Sequence, residues 1–146
     1  INPNTSISTD YIVGFPTETD EDHNNSKEFI NKVGFSKIHV FPYSKRSYTP
    51  ASKLLQVNDE IKTNRVNEIL EINKKLSISY IKKFVGENVE VLFEKEISNN
   101  KYIGHTSEYF EVIVDSNVNL INKVCLIKIK NVFNGNAIGE FVKVLY

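Results

Sequence analysis

The chain has 146 residues, of which 40% are hydrophobic, and its 18 basic and 18 acidic side chains leave a formal net charge of zero at pH 7. This composition supports one or two small folded domains, and no run approaches the roughly 18 consecutive apolar residues of a membrane-spanning helix. The single cysteine, Cys125, excludes an internal disulfide framework and a cysteine-rich metal site, and we expect it to be a small buried hydrophobe.

The chain contains no methionine and opens at Ile1, just before a predicted strand. A complete translation product begins with Met, so we expect a piece of a longer protein. Nothing in the sequence resembles a signal peptide, and the expected compartment is therefore the cytoplasm.

Residues 1 to about 56 have the pattern of two parallel β-strands joined by an α-helix. Strand-like runs end in GFP at residues 14–16 and in FPYS at residues 41–44. Between them Thr19 is a candidate N-cap before an acidic first turn, and Gly34 is a natural C′ residue. Ligands collect at the carboxyl ends of parallel strands in open sheets and in β/α barrels. A whole eight-stranded barrel needs roughly 250 residues, so any barrel here is incomplete.

Residues 57–85 are predicted to form a helix that links two domains. Five apolar residues recur at helical spacings and make one stripe. They are Ile61, Ile69, Ile72, Leu76 and Tyr80.

Residues 86–146 alternate between apolar and polar side chains, which is typical of β-strands. The alternation predicts five strands, near residues 89–94, 101–104, 109–114, 123–130 and 138–144. Asn134 and Gly135 between the last two are a strong signal for a two-residue hairpin turn. Five short strands in this length predict a small antiparallel barrel of the OB-like size. The expected fold class is therefore α/β followed by all-β.

Several motifs carry a resemblance to a known enzyme family. They are TDYIVGFPTETDEDH, VGFSKIHVFPYSKRSYTPA, FVGENVEVLFE and YIGHTSEYFEVIV, in this order. The chain resembles the C-terminal part of a radical S-adenosylmethionine methylthiotransferase, and the pairing of HVFPYS with GHTSEY resembles the branch that acts on N6-threonylcarbamoyladenosine in tRNA. The resemblance implies that residues 1–56 are the tail of a radical barrel, residues 57–85 a linking helix, and residues 86–146 a TRAM barrel that binds tRNA.

The resemblance also implies the chemistry, cofactors and partners. Members of this family replace C–H by C–SCH₃ on the modified adenosine next to the anticodon, using S-adenosylmethionine and two 4Fe-4S clusters. The cluster cysteines lie upstream of this segment, so we expect the chain alone to be inactive and to hold no catalytic or metal-ligating residue. The expected partners are the tRNA anticodon stem-loop and the upstream part of the same enzyme, with no membrane. A stand-alone RNA-binding or interaction module is the alternative, and an upstream reading frame with CxxxCxxC distinguishes the two.

Six positions match the strand ends that face the cofactor in this family: Gly14, Phe15, Pro16, Phe41, Tyr43 and Arg46. The missing Cβ of a glycine lets backbone approach a ligand, and aromatic surface suits an adenine ring. The planar fork of an arginine suits a carboxylate or phosphate. A purely structural turn, core packing of the aromatic residues and an exposed surface arginine remain the alternatives.

Three positions depart from the family pattern. Thr17 and Tyr48 stand where the family commonly has Gly, and His23 stands where it has Phe. Either the backbone at residues 17 and 48 does not need positive φ, or the two loops run differently here. We expect His23 to be an exposed helix residue or a weakened core contact, and no histidine has metal-ligand spacing.

Charge gives mixed support for tRNA binding. The net charge is 0 for residues 1–56, +2 for residues 57–85 and −2 for residues 86–146. A slightly acidic barrel is a poor binder of nucleic acid by net charge, so we expect local basic patches to bind. The patch residues are Lys74, Lys75, Lys82 and Lys83 on the helix and Lys101, Lys123, Lys128 and Lys130 on the barrel. Tyr102, Phe110 and above all Tyr109 are candidates for base stacking, with core packing the alternative.

A partial barrel leaves strand edges with unpaired backbone groups, and such edges invite pairing with another copy. We therefore expect residues 1–56 to be poorly ordered or paired between chains. Residues 86–146 should fold independently.

Overall fold

The computed structural model describes residues 4–146, which form two compact units. The first unit is Ile7–Ser77, and the second is Ile78–Tyr146 with the described residues before Ile7. The three-part domain division at residues 56 and 85 stays a prediction. No helix within residues 4–146 is long and apolar enough to cross a membrane.

The first unit begins with strand β1 (Ser8–Val13), helix α1 (Asp20–Val33) and strand β2 (Lys37–Pro42). The two strands pair in parallel and form a two-stranded sheet. Because the strands run in the same direction, their carboxyl ends lie side by side, and the amide of Tyr43 donates to the carbonyl of Val13 at 2.8 Å. The predicted strand–helix–strand segment is confirmed.

Both predicted ends of α1 are confirmed, and local chemistry explains them. The Thr19 hydroxyl accepts from the Asp22 amide at 3.1 Å, and the Asp22 carboxylate accepts from the Thr19 amide at 2.9 Å. This capping box satisfies backbone donors that the first turn leaves free. Gly34 ends the helix in the left-handed conformation, with φ of 70°.

A short 3₁₀ helix, Pro50–Lys53, precedes the long helix α2 (Asp59–Lys82). Ile69 of α2 is fully buried in a core with Val13, Ile30 and Ile38. The predicted apolar stripe is wrong at its first member, because Ile61 is 43% exposed.

The second unit contains five strands: β3 (Asn88–Ser98), β4 (Lys101–Thr106), β5 (Glu111–Asp115), β6 (Val124–Phe133) and β7 (Asn136–Val144). They close into a barrel in the order β3-β4-β5-β7-β6, and β6 pairs back onto β3. The five-stranded barrel and the hairpin turn at Asn134 and Gly135 are confirmed; these two residues have φ of 49° and 85°. Cys125 is buried inside the barrel, as predicted, and burial raises the pKa of its thiol.

The prediction that all strands pair antiparallel is wrong for one pair. Strands β5 and β7 run parallel, with Val112 opposite Ala137 and Val114 opposite Gly139. The reason is topological: an odd number of strands cannot close into a ring with every neighbouring pair antiparallel. One parallel pair is therefore required in a closed five-stranded barrel.

Candidate functional site

The turn that follows β1 has an unusual backbone. Gly14 has φ of 72° and Thr17 has φ of 73°. The Glu18 amide closes the turn onto the carbonyl of Phe15 at 2.9 Å, and the Thr17 amide donates to the carbonyl of Leu55 at 3.0 Å. Of the two alternatives from the sequence, the first, that residue 17 does not need positive φ, is therefore wrong: a β-branched residue holds a conformation that glycine adopts far more easily.

A buried ion pair between Glu18 and Arg65 holds this turn. One oxygen of the Glu18 carboxylate accepts from the Gly14 amide at 2.7 Å and from Arg65 at 2.8 Å. Arg65 also donates to the Glu18 carbonyl at 3.1 Å and to the Asp20 carboxylate at 2.7 Å. Although burial opposes the charge, the hydrogen bonds to Asp20 and Glu18 raise the pKa of Arg65 above its usual range.

Sequence reasoning missed Arg65, which is only 5% exposed. The signal was present, because Arg65 precedes Ile69 by four residues and Ile72 by seven. These spacings place it on the apolar stripe of α2. A charged residue on such a stripe predicts a buried partner of opposite charge.

The space beside Gly14 is occupied by protein. A Cβ at this position would overlap the Cγ of Lys62, whose ammonium group lies 2.7 Å from the Asp59 carboxylate. The described structure thus gives Gly14 a close neighbour within the chain, on the side where we expected a ligand to approach. The expectation of a ligand contact at Gly14 stays a prediction.

Aromatic side chains bring the two strand ends together. The rings of Phe15 and Tyr43 lie 5.4 Å apart in an edge-to-face arrangement, and Phe15 and Phe41 are each about half exposed. The Tyr43 hydroxyl is buried and has no hydrogen-bond partner among residues 4–146. Apolar surface with one unpaired polar group suits a flat, partly polar ligand. Of the other predicted residues, Pro16 is buried and Arg46 has an exposed side chain.

His23 is buried in α1, with only 3% of its surface exposed. Of the two alternatives from the sequence, an exposed helix residue is therefore wrong, and the buried position agrees with a core contact. Neither ring nitrogen has a hydrogen-bond partner in the described part of the chain, and Nε2 lies 3.4 Å from the Glu68 carboxylate. Burial lowers the pKa of His23, and the Glu68 charge opposes this shift.

In the second unit, Tyr109 is the exposed member of the three stacking candidates. Tyr102 and Phe110 are 4% and 5% exposed and pack in the barrel core, so they offer no stacking surface. Tyr109 is 80% exposed and has φ of 65°. A bulky residue in this conformation is a genuine outlier. The turn is held by the Thr106 amide, which donates to the Phe110 carbonyl at 3.0 Å.

The predicted basic residues differ in their surroundings. Lys130 lies 2.9 Å from the Glu140 carboxylate and Lys101 lies 3.8 Å from that of Asp115. Lys74, Lys75 and Lys128 are exposed. On β4 the His105 ring lies 2.6 Å from the carboxylate of Glu94 on β3 and 3.4 Å from that of Glu111 on β5.

No protein-family model matches the chain. Curated proteins match it over nearly its whole length. It is 32% identical over 148 residues to the threonylcarbamoyladenosine tRNA methylthiotransferase MtaB of Bacillus subtilis, covering 98% of this chain and 33% of that protein. It is 36% identical over 142 residues to MtaB of Thermotoga maritima, covering 97% of this chain and 28% of that protein. The chain is homologous to a portion of tRNA methylthiotransferases.

A second kind of curated protein also matches the chain. The chain is 36% identical over 146 residues to the tRNA-2-methylthio-N(6)-dimethylallyladenosine synthase of Flavobacterium psychrophilum, covering 97% of this chain and 30% of that protein. The chain spans about a third of the length of the curated relatives it matches, and it corresponds to their C-terminal portion. The predicted resemblance to the C-terminal part of these enzymes is confirmed.

Proposed function

We propose that this chain is the C-terminal part of an enzyme that adds a methylthio group to a modified adenosine next to the anticodon of tRNA. The observation that carries the proposal is the match over 96–99% of the chain to seven tRNA methylthiotransferases and synthases. In this proposal the first unit is the tail of a radical β/α barrel and the second unit is a TRAM domain. The chain alone is inactive.

The strand-end residues fit the nucleoside part of S-adenosylmethionine. Phe15 and Phe41 offer half-exposed aromatic surface to an adenine ring, and the buried hydroxyl of the neighbouring Tyr43 lacks a partner among the described residues. S-adenosylmethionine bound there would take part in the replacement of C–H by C–SCH₃. The role of these residues is to bind and orient the nucleoside at the edge of the sheet.

The iron–sulfur clusters do not fit this chain. Residues 4–146 contain no group of three or more His, Cys, Asp or Glu side chains that could hold a metal, and Cys125 is buried in the barrel. We therefore assign the clusters of the full-length enzyme to its upstream part, and we assign no step of the reaction through them to this chain.

For tRNA, we propose that Tyr109 stacks on an unpaired base, with Lys74, Lys75, Lys101, Lys128 and Lys130 near phosphates. Stacking contributes roughly 1–3 kcal/mol per base. Turn strain supports the assignment of Tyr109, because strained backbone outliers cluster at functional sites. Since Lys101 and Lys130 lie beside carboxylates, phosphate contact by either one would displace an ion pair.

The substrate branch is a finer proposal. Identities of 32% and 36% to two MtaB proteins and 36% to a dimethylallyladenosine synthase do not separate the branches. The motifs HVFPYS and GHTSEY support the threonylcarbamoyladenosine branch.

The test is nucleoside mass spectrometry of tRNA from cells that lack their own methylthiotransferases and express the full-length protein. We expect the methylthio derivative of threonylcarbamoyladenosine. Formation of only the dimethylallyl derivative would contradict the branch. Formation of neither, with tight stem-loop binding by the chain alone, would favour the stand-alone RNA-binding module.

A further inference from the structure

We propose that Arg65 is a positioning residue for S-adenosylmethionine, acting through Glu18 on the turn of residues 14–18. This inference rests on the proposed function and names a residue that the sequence did not identify. Arg65 comes from α2, outside the strand–helix–strand segment that presents the turn. It is not expected to touch the ligand.

One carboxylate oxygen of Glu18 accepts two hydrogen bonds, one from the turn and one from α2. Glu18 Oε2 binds both the Gly14 amide and the Arg65 guanidinium, at 2.7 and 2.8 Å. The Glu18 side chain is 10% exposed and that of Arg65 is 6% exposed, so this pair is shielded from water. Removing one member of such a pair leaves a buried charge without a partner. Through Glu18, the backbone of Gly14, which directly follows β1, is thereby linked to Arg65 on α2.

The second ion pair of Arg65, with Asp20, is exposed to solvent on the Asp20 side. The bond to Asp20 ends on a carboxylate that is 93% exposed, where solvent screens the interaction. Substitutions can therefore distinguish the two hydrogen bonds of Arg65. We expect the bond to Asp20 to contribute little to the conformation of the turn, and the bond to Glu18 to control it.

Backbone strain explains why the turn needs an anchor. Thr17 has φ of 73°, and a β-branched residue keeps this conformation only when its surroundings impose it. Glu18 fixes the turn on one side, and the bond from the Thr17 amide to Leu55 fixes the other. Phe15 lies between these anchors, so a relaxed turn would move its ring away from Tyr43.

The experiment uses the full-length protein that contains this chain. S-adenosylmethionine affinity is measured by titration calorimetry, anticodon stem-loop affinity by anisotropy, and stability by thermal melting. Arg65→Lys keeps the charge but loses the fork that reaches both carboxylates. We expect it to weaken S-adenosylmethionine binding about tenfold, which corresponds to a loss of about 1.4 kcal/mol of binding free energy. Stem-loop affinity should stay the same. Asp20→Ala, the matched control, should leave both affinities unchanged.

A double variant tests whether turn strain is the reason for the anchor. Titrations are made at a temperature where thermal melting shows Arg65→Lys to be folded, so that weaker binding reports the turn and not unfolding. Thr17→Gly in the Arg65→Lys background lets residue 17 hold positive φ without strain, so we expect S-adenosylmethionine affinity to recover towards the parent value. Parent-like affinity in Arg65→Lys, or a normally folded double variant that binds as weakly as Arg65→Lys, would overturn the inference. If the parent protein itself does not bind S-adenosylmethionine, the proposed function fails and the role of Arg65 fails with it.

Discussion

Replacing Thr17 by glycine should stabilise the first unit. Thr17 has φ of 73°, and the left-handed conformation costs an ordinary L-residue roughly 1–2 kcal/mol. Glycine adopts it freely but gives the unfolded chain extra entropy, which costs about 0.5–1 kcal/mol. The difference is a gain of about 0.5–1 kcal/mol in the free energy of unfolding.

The structure indicates that little else changes. The Thr17 side chain is exposed, and its amide still donates to the Leu55 carbonyl. Urea denaturation followed by circular dichroism measures the gain. Thr17→Ala is the matched control, because it removes the branched side chain but keeps the Cβ that disfavours positive φ. If Thr17→Gly is no more stable than Thr17→Ala, the turn is not strained and this reasoning is refuted.

Two further predictions follow from other parts of the structure. Because burial lowers the pKa of His23, its contribution to stability is complete above about pH 6.5 and declines as pH falls towards the folded-state pKa. His23→Phe should remove this decline, and melting temperatures between pH 7.5 and pH 5 check it; an unchanged pH dependence would contradict it. Tyr109→Gly should relieve turn strain and raise stability, yet weaken stem-loop binding by about 1–3 kcal/mol. Anisotropy titrations at two salt concentrations measure that loss, and unchanged affinity would rule out stacking.

Local chemistry made several elements predictable from the sequence. The capping box at Thr19 and the C′ glycine at Gly34 depend only on near neighbours in the chain. The five barrel strands follow from their alternating side chains. The same alternation accounts for Tyr102, which is buried with Gly104 and Thr106 on the inward side of β4.

Contacts between distant residues were harder to predict. The parallel pairing of β5 and β7 depends on closure of the whole barrel, which no short motif encodes. The burial of Arg65 depends on the Glu18 carboxylate, which lies 47 residues earlier. The backbone strain at Thr17 could not be predicted from the neighbouring sequence, because threonine rarely adopts positive φ. The predicted strand-end residues include Phe15 and Tyr43, which the fold brings together, but not the Glu18–Arg65 pair behind them.

The central claim is that the two strand ends of the first unit form the surface that binds S-adenosylmethionine. The most direct measurement is the dissociation constant of S-adenosylmethionine for the full-length protein and for two aromatic substitutions. Phe15→Ser removes a half-exposed ring beside Tyr43, whereas Tyr48→Ser removes a fully exposed loop ring outside the proposed surface. The account predicts about tenfold weaker binding for Phe15→Ser, the effect of losing one well-placed contact, and parent-like binding for Tyr48→Ser. Equal affinity of the parent and a normally folded Phe15→Ser variant would contradict it.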